Sequence, residues 1–206
     1  MVKLLSHLLR SVFLHKPQSL FIMSDLRIHG SIFFLLKKFV NNNFPENTWD
    51  LLNEKAGTSS ITFSVTENYS IDFMNALVKN ASEMTSMTED NLKEEFGQYL
   101  VNDLFALYAD YIKPEWRTFD VILNTEPVMH GAVRRLNSTA NPPILHVHKV
   151  NDKLLVIDYH SRRKMASLAI GIIKGIANYY GESESITITP MSNPNDERVQ
   201  IRIHFL

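Results

Sequence analysis

The sequence predicts an α+β protein, with a helical amino-terminal lobe followed by a lobe of antiparallel sheet plus helices. Apolar residues recur with helical spacing as far as residue 136, and after Asn141-Pro142-Pro143 the period changes to two. Runs of helices followed by runs of strands are typical of α+β folds. With 206 residues, 45% of them hydrophobic, the chain is long enough for one domain with a sizeable core.

Composition narrows the possible functions. The formal net charge is −1, so the sequence gives no support to non-specific nucleic-acid binding. The chain has no cysteine, which excludes disulfides, iron–sulfur clusters and cysteine-ligated zinc or haem. The eight histidines are therefore the best candidate metal ligands.

Residues 1–27 are interpreted as an amino-terminal extension, disordered or belonging to a non-native start, that precedes a domain over residues 28–206. The first 22 residues contain Lys3, Arg10 and Lys16 and no acid. They have neither the order of a signal peptide nor an apolar run near the ~20 residues of a membrane helix. An amphipathic helix, a presequence or translated upstream sequence with Met23 as the true start would each fit, and we favour the last.

The first lobe is predicted to be almost entirely helical. Apolar residues form a helical stripe from Ile32 to Val40, and a second helix is expected from Asn47 or Thr48 to Gly57. Further helices begin at Ser70 and Thr88, and residues 61–65 suggest a short extended piece. The run 119–136 is also helical, but Pro127 requires the helix either to begin there, with Asn124 or Thr125 as cap, or to kink there.

The second lobe is predicted to contain two pairs of strands and one long helix. Residues 144–150 and 153–159 read as a hairpin joined by Asn151-Asp152. A helix over residues 165–180 follows, capped by Ser161 and ended by Gly181. Residues 185–189 and 199–205 complete the sheet.

Tyr159, Ser161 and Arg163 are spaced two apart at the end of a predicted strand. Side chains at this spacing share a face, so a phenol, a hydroxyl and a guanidinium would converge. Such donors suit a carboxylate or phosphate ligand. The motif is weak alone, because an ordinary strand end with a solvated arginine has the same residues.

His130 lies on the apolar side of its predicted helix. A core histidine bonded to backbone would explain this, and so would a metal ligand. A lone imidazole without a second ligand one turn away is poor for zinc, whereas haem needs only one axial ligand from the protein. The other histidines are weaker candidates: His146 and His148 are expected on a solvated sheet face, and His160 to be exposed.

Several short motifs occur together in the order and spacing of a known family. They are His29-Gly30-Ser31-Ile32, Thr48-Trp49-Asp50, Phe96-Gly97, His130-Gly131-Ala132-Val133, Pro142-Pro143 and Tyr159-His160-Ser161-Arg162-Arg163. Over residues 28–206 the chain resembles the H-NOX (haem nitric oxide/oxygen binding) domains of bacteria and of soluble guanylate cyclase.

The resemblance implies a haem b cofactor held between the two lobes. His130 would be the proximal iron ligand, Tyr159, Ser161 and Arg163 would bind the propionates, and Ile32 and Pro143 would press on the porphyrin. The distal wall would come from Leu36, Leu100, Leu104 and Leu168. Oxygen-binding members have a tyrosine where this chain has Leu168, so the resemblance implies selectivity for nitric oxide.

The resemblance also implies a sensor that is not an enzyme. It would release its proximal histidine on binding nitric oxide and signal to a separate protein: a histidine kinase, a cyclic-dinucleotide enzyme or a guanylate cyclase. We expect a cytoplasmic protein with no membrane span and no nucleic-acid partner. One departure is Pro127, which stands where the family commonly has an acidic residue, three before the histidine. A haem-free interaction module and a haem-dependent oxygenase or peroxidase are the alternatives.

Overall fold

The structure, a computed structural model, describes residues 26–136 and 140–206, so the expectations for residues 1–25 lie outside the described residues. The first part of the chain forms β1 (Arg27–His29), α1 (Gly30–Asn43), α2 (Thr48–Ala56), β2 (Asn68–Ser70), α3 (Ile71–Thr85), α4 (Glu89–Leu107), α5 (Thr118–Asn124) and α6 (Gly131–Leu136). The second part forms β3 (Ile144–Asn151), β4 (Leu154–His160), α7 (Ala166–Tyr179), β5 (Ile186–Pro190) and β6 (Arg198–Phe205). The predicted α+β class is confirmed.

The second lobe is built on a four-stranded antiparallel sheet in the order β3-β4-β6-β5. The predicted pairs of strands are all present, although the β3–β4 turn is Asp152-Lys153, one residue later than expected. Alternate residues of β4 are buried, and its inward face carries Tyr159. His146 and His148 are exposed on β3, as predicted.

The helical lobe contains a small two-stranded sheet that the sequence analysis missed. β1 pairs antiparallel with β2, with Ile28 opposite Tyr69. The extended piece expected at residues 61–65 does not join a sheet. The strands are only three residues long, which is too short to show the alternation that reveals a strand in a sequence.

The predicted helix caps at Ser70 and Thr88 are present in the first lobe, whereas the cap predicted at Ser161 in the second lobe is not. Ser70 and Thr88 accept hydrogen bonds from backbone N–H groups of α3 and α4, as predicted. Ser161 does not cap α7, which begins at Ala166 after Met165. Its hydroxyl instead accepts the Arg163 N–H at 3.2 Å, because Ser161 begins a turn and not a helix.

Two apolar cores meet along the packed pair α4 and α7. Phe96 and Leu100 of α4 belong to the core of the helical lobe, whereas Val101 belongs to the core against the sheet. The two helices approach so closely that a Cβ on Gly171 would stand 2.1 Å from the Glu94 carbonyl oxygen. Glycine is therefore required there, and the contact fixes the two lobes against each other.

No helix within the two described ranges is long and apolar enough to cross a membrane.

Candidate functional site

A cavity of about 1080 Å³ lies between the two lobes. Its walls come from α1, α4, α5 and α7, from the segment around His130 and from the sheet. The lining is mostly apolar, with charged and polar groups added by Arg27, His29, Tyr159, Arg162 and Arg163. A cavity of this size and lining is suited to a large, flat apolar cofactor that carries polar groups.

His130 lies in the wall of the cavity on an unusual helical segment. Residues Thr125–His130 form a π-helical stretch that joins α5 to α6. The Gly131 N–H donates to the Glu126 carbonyl, five residues earlier, which defines the wider turn. The helical run expected over residues 119–136 is thus present; it does not begin at Pro127, and its regular α-helical geometry is interrupted there by the π-helical stretch.

Pro127 accounts for this wider turn. It has no N–H to donate to the carbonyl four residues earlier, and its ring would clash with that carbonyl in a regular α-helix. Two side chains just before Pro127 also bond to the backbone of α5: Asn124 Nδ2 donates to the Asp120 carbonyl at 2.8 Å, and Thr125 Oγ1 to the Val121 carbonyl at 2.8 Å. These bonds tie the start of the π-helical stretch to the preceding helix.

The π-helical turn places Glu126 beside His130. The imidazole Nδ1 lies 2.8 Å from Glu126 Oε2, and the same oxygen accepts the Leu145 N–H at 3.1 Å. The other carboxylate oxygen accepts a hydrogen bond from Arg134. The carboxylate therefore joins the histidine to α6 and to β3. Glu126 was not predicted, because the family resemblance places an acid three residues before His130, where this chain has Pro127.

The electrostatics of this group keep the histidine neutral and the carboxylate charged. Burial lowers the pKa of His130, and its side chain is only 16% exposed. Burial alone would raise the pKa of Glu126, but hydrogen bonds from Arg134 and His130 outweigh it and hold that pKa below its usual value. A neutral imidazole whose Nδ1 is hydrogen-bonded to a carboxylate has Nε2 available as a metal ligand.

Tyr159, Ser161 and Arg163 converge as their spacing predicted. Tyr159 and Arg163 line the cavity, whereas Ser161 lies behind them and its hydroxyl bonds to the Tyr159 phenol. Burial raises the pKa of the Tyr159 phenol, so it remains a protonated donor. The Arg163 guanidinium donates to the backbone carbonyls of Arg27 at 3.0 Å and of Asn141.

Most of the predicted apolar residues line the same cavity. Ile32, Pro143, Leu100, Leu104 and Leu168 are all part of its walls. Leu36 is not: it is buried within the helical lobe and borders a separate small apolar space there. Over the described ranges, no group of three or more acidic or histidine residues is placed to hold a metal ion.

A model of the haem-NO-binding family matches residues 29–188, which is more than half of the chain. Among solved structures, an H-NOX protein from Shewanella oneidensis in the Fe(II)NO state is 19% identical, with a TM-score of 0.79 over 87% of this chain and 99% of the other. An Fe(II) unliganded H-NOX protein from K. algicida is 18% identical, with a TM-score of 0.76 over 87% and 97%.

A mutant H-NOX protein from T. tengcongensis is likewise 18% identical, with a TM-score of 0.73 over 86% of this chain and 97% of the other. No curated protein matches the chain. The structural likenesses establish the fold, and the family model extends over both the helical lobe and most of the sheet lobe. The chain therefore belongs to the haem-NO-binding family, the H-NOX domains that bind haem b and sense gases.

Proposed function

We propose that this protein is a nitric oxide sensor whose haem iron is held by His130 alone. The observation that carries this proposal is a neutral imidazole, fixed at Nδ1, in the wall of a cavity large enough for haem. Ferrous haem bound in this way would be five-coordinate, with one iron position open to a gas. In this proposal the chain supplies one ligand to the iron, His130, and leaves the other position without a protein side chain.

The polar part of the cavity lining would supply partners for the two haem propionates. Arg163 offers several N–H donors to a carboxylate, and the Tyr159 phenol, supported by Ser161, offers one more. Ile32 and Pro143 lie in the apolar walls, where they would press on the porphyrin, as the family resemblance implies. Polar donors and apolar walls in one cavity match the two kinds of surface that haem presents.

Selectivity for nitric oxide over oxygen follows from Leu168 in this proposal. Its apolar side chain lines the cavity at the position where oxygen-binding relatives have a tyrosine. Bound dioxygen is polar and gains from a hydrogen-bond donor, whereas nitric oxide needs none. Compared with tyrosine, a leucine at this position would therefore weaken the oxygen complex and leave the nitric oxide complex unaffected.

Release of His130 would be the signalling step. Binding of nitric oxide to the haem would free His130, and the freed side chain would move with the π-helical segment that carries it. A partner protein would read the resulting change between the lobes. From the resemblance, this partner would be a histidine kinase, a cyclic-dinucleotide enzyme or a guanylate cyclase, and the sensor itself would not be an enzyme.

The histidine assignment is tested with His130→Gly in protein expressed with haem. We expect the ferrous wild type to show a five-coordinate Soret spectrum, and His130→Gly to lose most of its haem. Added imidazole should restore the haem spectrum, because it refills the space of the deleted ring. A wild-type protein without a Soret band would refute the haem proposal, and full haem retention without imidazole would refute the ligand assignment. Peroxide turnover would favour the enzymatic alternative.

A further inference from the structure

The carboxylate of Glu126 makes three contacts that a surface acid would not make. Its Oε2 meets both the His130 imidazole and the Leu145 N–H, and its Oε1 meets Arg134. Its side chain is 23% exposed, so these bonds are formed in a partly dry environment, where charged hydrogen bonds are stronger. The three partners lie on three different segments: the π-helical turn, β3 and α6.

We propose that Glu126 is the positioning residue of His130. It directs the imidazole Nε2 into the cavity, and it transmits displacement of the ring to β3 and α6. This inference rests on the proposed role of His130 as iron ligand and adds the residue that orients it.

The first half of the inference follows from hydrogen-bond chemistry. A carboxylate can only accept, so the imidazole presents Nδ1–H to Glu126, and the Pro143 carbonyl is a second acceptor beside the ring. In a neutral ring protonated at Nδ1, the Nε2 lone pair is left for a metal. An anionic acceptor also draws the Nδ1 proton towards itself, which makes Nε2 a stronger donor to the metal. Arg134 counteracts this effect, because it withdraws charge from the same carboxylate.

The second half follows from the shared oxygen. His130 and the Leu145 N–H bind the same Oε2, so the ring cannot leave its place without stretching one bond or moving the carboxylate. Leu145 belongs to β3, at the edge of the sheet, and its neighbour Ile144 is 46% exposed. Movement of His130 is thus passed to a part of the surface that a partner could contact.

The test compares Glu126→Gln with Glu94→Gln as a matched control. Glu94 has the same 23% exposure and also pairs with one cation, Lys174, but it lies outside the lining of the cavity. The readout is the iron–imidazole stretching band of the ferrous haem protein in resonance Raman spectra. We expect the band to shift to lower frequency in Glu126→Gln and to stay unchanged in Glu94→Gln.

Arg134→Gln supplies a prediction of opposite sign. Without the guanidinium, the carboxylate carries more charge, so it should pull harder on the Nδ1 proton and move the band to higher frequency. Damage to the fold would not produce opposite shifts in the two variants. Equal bands in wild type, Glu126→Gln and Arg134→Gln would refute the positioning role while leaving the haem proposal intact.

A readout without haem keeps the two proposals separate. In the haem-free protein, ¹⁵N NMR of the His130 ring should show the Nδ1-protonated tautomer, and its population should fall in Glu126→Gln. A wild-type protein that binds no haem but shows this tautomer would refute the function and support the positioning role. A wild-type ring protonated at Nε2 would refute the positioning role directly.

Discussion

At the scale of single residues, the proposed preference for nitric oxide over oxygen rests on Leu168. The side chain lines the cavity, and its neighbours on the same wall include Leu100 and Leu104, which also offer no hydrogen bond. A tyrosine introduced at this position would add a phenol to an otherwise apolar part of the lining. The gas preference of the protein is therefore open to change by a single substitution.

We predict that Leu168→Tyr will form an oxygen complex that persists in air, with oxygen dissociation slowed by up to about tenfold by one hydrogen bond. Leu168→Phe is the matched control, since it adds the ring without the hydroxyl. Stopped-flow absorption spectroscopy of the ferrous proteins measures both rates. Equal dissociation rates in the tyrosine and phenylalanine variants would show that no hydrogen bond reaches the gas from position 168.

The sequence was sufficient to find His130, Tyr159 and Arg163 at the cavity, because their spacing and residue types carry the chemistry. It was not sufficient for Glu126. The acid three residues before His130 was an expectation from the family resemblance, and this chain has Pro127 at that position; the π-helical turn there is not revealed by spacing. An acid four residues before the histidine was the available signal. Leu36 was wrongly predicted to line the cavity. Helical spacing of apolar residues shows that a residue is buried, but it does not show which neighbours bury it.

At the scale of elements, the π-helical segment is the irregular part of an otherwise regular helical run. Pro127 prevents the regular hydrogen bond to residue 123, and the side chains of Asn124 and Thr125 bond to the backbone carbonyls of Asp120 and Val121 one turn earlier. A π-bulge of this kind is frequently found at a functional site, and here it carries His130 and Glu126 together.

We predict that Pro127→Ala will raise the free energy of unfolding by about 1 kcal/mol, because alanine removes the ring clash and restores an N–H donor. Pro45→Ala, in the exposed turn between α1 and α2, should lower it by up to about 1 kcal/mol, since it only frees the unfolded chain. Urea unfolding followed by circular dichroism measures both. Destabilisation by Pro127→Ala would show that the π-helical turn has stabilising contacts that outweigh the proline.

At the scale of the whole molecule, the cavity separates two cores that otherwise meet through α4 and α7. Residues of both cores line it, among them Leu100 from the helical lobe and Ile157 from the sheet. A filled cavity adds apolar contacts to both cores at once, so a bound cofactor should stabilise the entire fold and not one lobe alone.

We predict that haem loading raises the thermal midpoint by roughly 10 °C over the haem-free protein, from the stabilisation that a tightly bound ligand gives. Iron-free protoporphyrin IX should give only part of this increase, because it fills the cavity without a bond to His130. Differential scanning calorimetry measures the three forms. Identical midpoints for haem-loaded and haem-free protein would contradict a cofactor that packs against both cores.

The hydrogen bonds of Arg163 bear on how a cofactor would enter and leave. Its guanidinium already ties β1 to the segment before β3, through the carbonyls of Arg27 and Asn141. A guanidinium has five N–H donors in one plane, so a propionate can be added without displacing either carbonyl. A carboxylate bound there would become the third member of a cross-link whose other two members, Arg27 and Asn141, are distant in the sequence. Loss of the cofactor would weaken this cross-link and still leave its two backbone members joined.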